Sequence, residues 1–422
     1  MKKTLIILGM ACAIGTAVRG NPNLEAIIQS QYPNWETLYY HLHQNPELSN
    51  QEEKTSARLT KELEQRSFKV FRGIGGTGFA AVLKNGLGPT LLIRTDLDAL
   101  PLKEKTSLPY ASQVEVDGSG VMHACGHDVH MTHLIGVADT MAGLRDQWQG
   151  TLILIGQPAE EIGAGSSAML EDGLFEKTDV PDYVLAIHVA GDLEAGKIGY
   201  RPGFMMANVD SVDIEITGKG GHGALPHMAI DPVVIASQIV LSLQTIVSRE
   251  TDPLDSAVVT VGHITAGTKR NIIPDTALLQ LTVRSYSDPT RRNVLSSIER
   301  IARHTALAAG VPEKDLPVVS TKETYTPALY NDPELTNRLV KVWKQNFGED
   351  PLVLRSPEMI GEDFARFGRT PEQIPICMFR IGTGDGIISQ SLHSPEFAPD
   401  PEPTIKGAVR AMTLAALDLL QP

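Results

Sequence analysis

Three short apolar runs constrain the fold of this chain most, because each is too short for a helix and each leads into acidic or histidine side chains. They are TLLIRT, followed by Asp96 and Asp98; GTLILIG, followed through Gln157 and Pro158 by Glu160 and Glu161; and YVLAIHV, a strand ending at His188. Strands that are apolar on both faces belong to parallel sheets covered by helices. Helical patterns precede the first, from Asn23 to about Phe68 with a break at Pro46, and separate the first two, from Asp128 to Leu144. The glycines of GIGGTGFAAVLKNG read as hairpin turns, and the absence of a following Lys-Ser/Thr pair excludes a phosphate loop. In open α/β sheets, sites lie at the carboxyl ends of the strands, where these polar residues gather.

After Pro202 the pattern changes. VDSVDIEIT alternates, with Val212, Ile214 and Ile216 on one face and Asp213 and Glu215 on the other, as in a strand with one solvated face. Asp231-Pro232 and Asp288-Pro289 each start a helix, and strands follow near 256–264, 276–286 and 316–320. That order is β-α-β-β-α-β, a ferredoxin-like unit. From about Glu323 the α/β pattern returns, with a helix over Pro333–Phe347, strands at PLVLRS and PICMFRI, and a closing helix over Pro403–Leu420. The expected architecture is α/β, a mostly parallel sheet with helices on both faces, interrupted by a ferredoxin-like α+β lid or dimerisation domain. The expected divisions are 1–20, 21–203, 204–322 and 323–422.

Residues 1–20 read as a signal peptide: Lys2 and Lys3, an apolar run from Leu5 to Val18, no acidic residue, and Gly20 as the cleavage point. The expectation is export to the periplasm or beyond, with no other segment approaching a membrane span. With a net charge of -13 and no run of Lys or Arg, nucleic acid is an unsuitable partner and small molecules are the better one. Cleavage leaves Cys125 and Cys377, which in an oxidising compartment pair with each other or remain free, Cys125 then serving as a metal ligand.

VMHACGHDVHMTH places Cys125 and His127 two apart around Gly126, a thiolate and an imidazole suited to a divalent transition metal. Asp96, Asp98, Cys125, His127, Glu160, Glu161, His188 and His393 come from separate strand ends and loops, and their convergence on one edge points to a metal site. His130 and His133 read as supporting parts, and Glu362 and Asp363 as first-turn acids of a helix.

The motifs RTDLDALP, HACGHD, QPAEE, GKGGHGALPH, NIIPD and LHSPEF, in this order, resemble the aminoacylase, hippurate hydrolase and indole-acetyl-amino-acid hydrolase group of the dinuclear metallopeptidase superfamily. The resemblance covers nearly the whole chain after residue 20. It implies two divalent metal ions, zinc or manganese, held by Cys125, His127, Glu161, His188 and His393. It further implies Glu160 as general base, Asp98 as the residue orienting a ligand, His222 as a donor to the oxyanion, and Asn271 and Arg284 at the substrate carboxylate. Asp96 stands where the wider superfamily has a ligating histidine. A homodimer through the lid is implied as well.

The expected activity is hydrolysis of N-acyl-amino acids by a metal-activated water, with Glu160 taking and returning the proton. Alternatives are a metallo-exopeptidase acting on small peptides and an N-acetyl-diaminopimelate-type deacetylase. More remote is a hydrolase with Cys125 as nucleophile, which leaves Glu160, Glu161 and His393 without a role.

Overall fold

The computed structural model describes residues 20–321, 325–384 and 391–421; the leader reading of residues 1–20 lies, but for Gly20, outside them. The main sheet contains β1 (Lys69–Ile74), β2 (Gly78–Asn85), β3 (Thr90–Asp96), β4 (Gly150–Gln157), β5 (Tyr183–Glu194), β6 (Ile198–Tyr200), β11 (Leu352–Leu354) and β12 (Ile376–Gly384). Their order is β1-β2-β4-β3-β5-β12-β6-β11. Its centre, β4 to β12, is parallel, while β2 joins β4 and β6 joins β12 in antiparallel fashion. The three apolar runs are therefore the three adjacent strands β4, β3 and β5.

Side chains alternate across these strands. Leu91, Ile93, Leu152, Leu154, Leu185 and Ile187 join one apolar cluster, under α1 (Pro22–Gln44), α3 (His127–Gly143), α6 (Pro333–Phe347) and α7 (Pro401–Leu419). Leu92, Ile153, Ile155, Val184 and Ala186 join another on the opposite face, covered by the short helices Gly165–Glu171 and Asp363–Arg369. The helix α2 (Glu53–Gln65) packs at the β1–β2 end of the sheet. One expectation requires correction: β5 does not end at His188 but continues to Glu194, because its pairing with β12 runs on through Ala190↔Gly382 and Glu194↔Gly384.

The inserted unit has the order expected: β7 (Asn208–Thr217), α4 (Pro232–Thr245), β8 (Ala257–Ala266), β9 (Thr276–Ser285), α5 (Asp288–Ala308) and β10 (Val318–Thr321). The strands form an antiparallel sheet, β8-β9-β7-β10, whose Val212, Ile214, Ile216, Leu279 and Val283 pack with Ile235, Ile239 and Leu243 of α4 and with Val294 and Ile298 of α5. The Asp231 carboxylate accepts from the Val233 amide and the Ser287 hydroxyl from the Thr290 amide, which caps both helices. The stretch Pro232–Glu250 is, against expectation, long and apolar enough to cross a membrane by length and composition, although Ile235, Ile239, Leu243 and Ile246 are buried against the sheet. The outer side of the unit exposes Val234, Leu241 and Ile264.

Candidate metal and catalytic centre

Local geometry at the start of α3 depends on a residue without a side chain. Gly126 adopts φ +74°, and a Cβ there would lie 2.6 Å from Val189 Cγ2. The turn presents Cys125 and His127 from either side of this glycine. His127 Nδ1 donates to the Asp98 carbonyl oxygen at 2.8 Å, so the ring in its neutral form offers a lone pair on the other nitrogen, Nε2. That Nε2 is buried without a hydrogen-bond partner among the described residues. It faces Asp96 Oδ2 at 3.6 Å and Glu160 Oε2 and Glu161 Oε1 at 3.9 Å.

Cys125 Sγ lies 3.5 Å from His188 Nε2 and 3.3 Å from His393 Nε2, and His393 Nε2 is 3.5 Å from Glu161 Oε2. His188 donates from Nδ1 to the Val189 carbonyl at 2.9 Å, again leaving Nε2 toward the cluster. His393 has φ +60° and is held by its amide donating to Ala124 O, so the two ends of the motif set meet through main chain as well. Of five groups of possible ligand atoms among the described residues, each within 4.8 Å, three overlap around Cys125, His127 and Glu161, namely Cys125/His127/His188, Cys125/Glu161/His393 and His127/Glu160/Glu161, while Asp96/His127/His130 and Glu160/Glu362/Asp363 adjoin them through His127 and Glu160. Soft sulfur, imidazole nitrogen and carboxylate oxygen together, with the His127 Nε2 and Glu161 Oε1 atoms buried and unbonded, fit divalent cations. Cys125 and Cys377 are free and buried, so they form no disulfide with each other. Burial pushes the Cys125 thiol up, opposite to the shift that activates a nucleophilic cysteine.

The acids divide into distinct roles. Asp98 Oδ2 accepts from the Ser49 hydroxyl at 2.7 Å and from the Glu161 amide at 3.0 Å, and Asp98 holds His127 through its main-chain oxygen more closely than through its carboxylate. Asp96 bonds His130 Nδ1 through Oδ1 and Arg94 through Oδ2, both at 2.7 Å. Burial alone would raise the Asp96 carboxyl, but His127, His130 and Arg94 outweigh it and hold it well below the usual range. His130 also accepts the Val189 amide on Nε2 and is therefore a neutral spacer, while His133 donates to the His130 carbonyl. Glu160 stands apart: its carboxyl is driven well above the ordinary value by burial and then by the Glu362 carboxylate.

Behind this layer lies a network with only a partial signal in the sequence. Arg94, fully buried, donates to Glu362 Oε1 at 2.9 Å, Asp363 Oδ1 at 3.2 Å and Gln157 Oε1 at 3.0 Å as well as to Asp96. Glu362 and Asp363 do begin a short helix, with Glu362 capping the Phe364 amide, but they are also the buried counter-ions of Arg94. An arginine inside the TLLIRT run is the sign that buried acids have to exist elsewhere.

A cavity of about 630 Å³ opens on the cluster and reaches Arg284, Arg355, Glu358 and Arg380. Arg284 is thus brought to the site, where it donates to the Met359 carbonyl at 2.9 Å. Two candidate residues are not brought there: His222 and Asn271 are exposed and sit together on the inserted unit, where His222 pairs with Ile272 and the Gly223 amide donates to Asn271 O.

The chain is 39% identical over 373 residues to the N-acetyl-L-cysteine deacetylase of Bacillus subtilis, covering 87% of this chain and 84% of that protein. It is 40% identical over 335 residues to the hippurate hydrolase of Campylobacter jejuni, covering 79% and 84%. A crystal structure of a dinuclear metal-binding peptidase from Bacillus subtilis superposes with a TM-score of 0.77 at 31% identity, over 94% of this chain and 99% of that one. The profile of peptidase family M20/M25/M40 matches residues 92–418, and the chain belongs to that family.

Proposed function

We propose that this protein is a metal-dependent amidohydrolase that cleaves N-acyl-amino acids into a carboxylate and a free amino acid. The observation that carries this reading is the overlap of three ligand groups around Cys125, His127 and Glu161, with the raised Glu160 carboxyl beside them at the mouth of one cavity. The names of the relatives, a deacetylase and a hippurate hydrolase, support it.

Cys125, His127, Glu161, His188 and His393 would hold two divalent ions, zinc or manganese, which supply Lewis acidity toward the amide carbonyl and lower the pKa of water. Glu160 takes a proton from the attacking water as its oxygen bonds to the carbonyl carbon. It passes that proton to the amide nitrogen as the C–N bond breaks. Arg284, whose contacts in the cavity wall are a carbonyl and a hydroxyl and not a carboxylate, suits the carboxylate of the substrate. His222 and Asn271, on the outer hairpin, reach a substrate only after the inserted unit moves or when a second copy presents them.

A free α-ammonium, as in a dipeptide, needs an acid to receive it. Beyond the cluster, the cavity acids are already engaged, Asp192 with Arg355 at 2.6 Å and Glu358 with Arg380 at 2.6 Å, which favours an acylated amine over an exopeptidase substrate. A panel of acetyl-, benzoyl- and indole-acetyl-amino acids beside dipeptides tests this. Retention of hydrolysis in EDTA overturns the proposal, as does retention of most activity in Glu160→Ala.

We also propose export, on the basis of Lys2, Lys3 and the apolar run Leu5–Val18. N-terminal sequencing of the protein from the periplasm or medium should begin near Gly20 or Asn21; a chain still starting at Met1 overturns it.

A further inference from the structure

The carboxylate of Glu160 has to reach a water and then an amine, yet none of the side-chain hydrogen bonds among the described residues is made by it. Its position is therefore set by the main chain on either side. On the far side the Glu161 amide is fixed by Asp98. On the near side Ala159 has φ +50°, a left-handed conformation that a residue with a Cβ adopts only when its surroundings impose it. The Ala159 amide donates to Glu52 Oε1 at 2.8 Å.

Glu52 is itself fully buried, and its bonds are shared between two elements. Oε1 also accepts from the Asn50 amide at 3.0 Å, and Oε2 accepts from the Thr77 hydroxyl at 2.6 Å. The loop carrying it, residues 45–52, lies along the site: Ser49 bonds Asp98, and the Ala99 amide donates to Glu47 O. We propose that Glu52 is a positioning residue for the reaction, holding the strained Ala159 turn so that Glu160 points at the scissile amide. The inference rests on the amidohydrolase reading with Glu160 as base. It goes beyond that reading by giving a catalytic consequence to a carboxylate that touches neither ligand nor substrate.

The experiment compares Glu52→Gln, Glu52→Asp and Thr77→Val in the metal-loaded full-length enzyme, measuring kcat, KM, Tm and bound metal. Gln keeps an acceptor for the Ala159 amide and should hold kcat within roughly threefold of wild type. Asp withdraws that acceptor by one methylene and should lower kcat by roughly 10- to 100-fold, with KM and metal content little changed. Thr77→Val should lower Tm while keeping kcat within about twofold. A Glu52→Asp enzyme with wild-type kcat overturns the proposal. So does a Glu52→Gln enzyme as impaired as Glu52→Asp, or a loss in Glu52→Asp that lies wholly in KM or bound metal. If Glu52→Asp does not fold, Glu52→Ala takes its place and is read in the same way: kcat should fall by at least roughly tenfold with KM and bound metal little changed, and a kcat within about threefold of wild type overturns the proposal. Should wild type itself fail to hydrolyse N-acyl-amino acids, or Glu160→Ala remain active, the parent reading fails instead, so the two failures are distinct.

Discussion

Glu160 and His127 carry the sharpest consequences at the level of single side chains. Replacing Glu160 by Gln removes the proton acceptor but keeps the shape, so kcat should fall by roughly 10²- to 10⁴-fold while bound metal, measured by emission spectroscopy, stays at the wild-type level. Replacing His127 by Ala removes a buried nitrogen donor, so it should lower both metal content and activity. The side chains proposed as ligands are legible in the sequence because Cys, His and Glu are informative residue types and each follows a readable strand or turn. The Arg94 network is not, because Arg94 and Glu362 are 268 positions apart and an acidic pair before Phe364 reads equally well as the start of any helix. Glu52 is hidden for the same reason: only the fold reveals that its carboxylate meets Ala159, 107 residues away.

Among elements, the junction of α1 with the first turn of α3 is the most sensitive. His43 on α1 donates to Asp128 Oδ2 at 2.7 Å and meets Glu104 Oε1 at 3.2 Å, in a buried setting. Burial alone would lower its pKa, but the two carboxylates outweigh burial and raise it to about 9. A group raised in the folded state contributes all of its stability below its unfolded value near 6.5 and loses it as pH rises through the folded one. Denaturant unfolding from pH 6 to 10 should therefore show a fall of up to roughly 3 kcal/mol, which His43→Gln removes. Gly126→Ala, with its Cβ set against Val189 and its φ positive, should destabilise the protein by roughly 1–3 kcal/mol, read as a lowered denaturation midpoint. Helix starts are readable from Asp-Pro pairs because capping is local. The end of β5 is not, since β5 is prolonged by a partner, β12, about 190 residues later in the chain.

At the scale of the whole molecule, metal and assembly dominate. Ions that bind only the folded chain stabilise it by mass action, by about 4 kcal/mol at a thousand times Kd. Tm should thus rise with added zinc or manganese and fall in EDTA; a Tm indifferent to both overturns the metal reading. The apolar exterior of the inserted unit supports the proposal of a homodimer through that unit. Leu241→Glu should then shift the protein to a smaller species in sedimentation velocity, with no change if the unit does not associate. The succession of elements in this unit is readable because its strands alternate with a period of two. Where its exposed face goes is not, because solvent exposure in one chain does not name an occupant.

The place of β12 also dictates an order of assembly. This strand is among the last to be synthesised, yet it sits between β5 and β6 in the middle of the main sheet, and His393 follows it. A growing chain therefore lacks both a continuous sheet and a full set of donors until nearly all of it has emerged, and such long-range pairing makes for slow folding. Any period the chain spends unfolded, such as the proposed export would impose, ends before the centre exists. The metal supply of the compartment where folding finishes then decides which ion the enzyme carries.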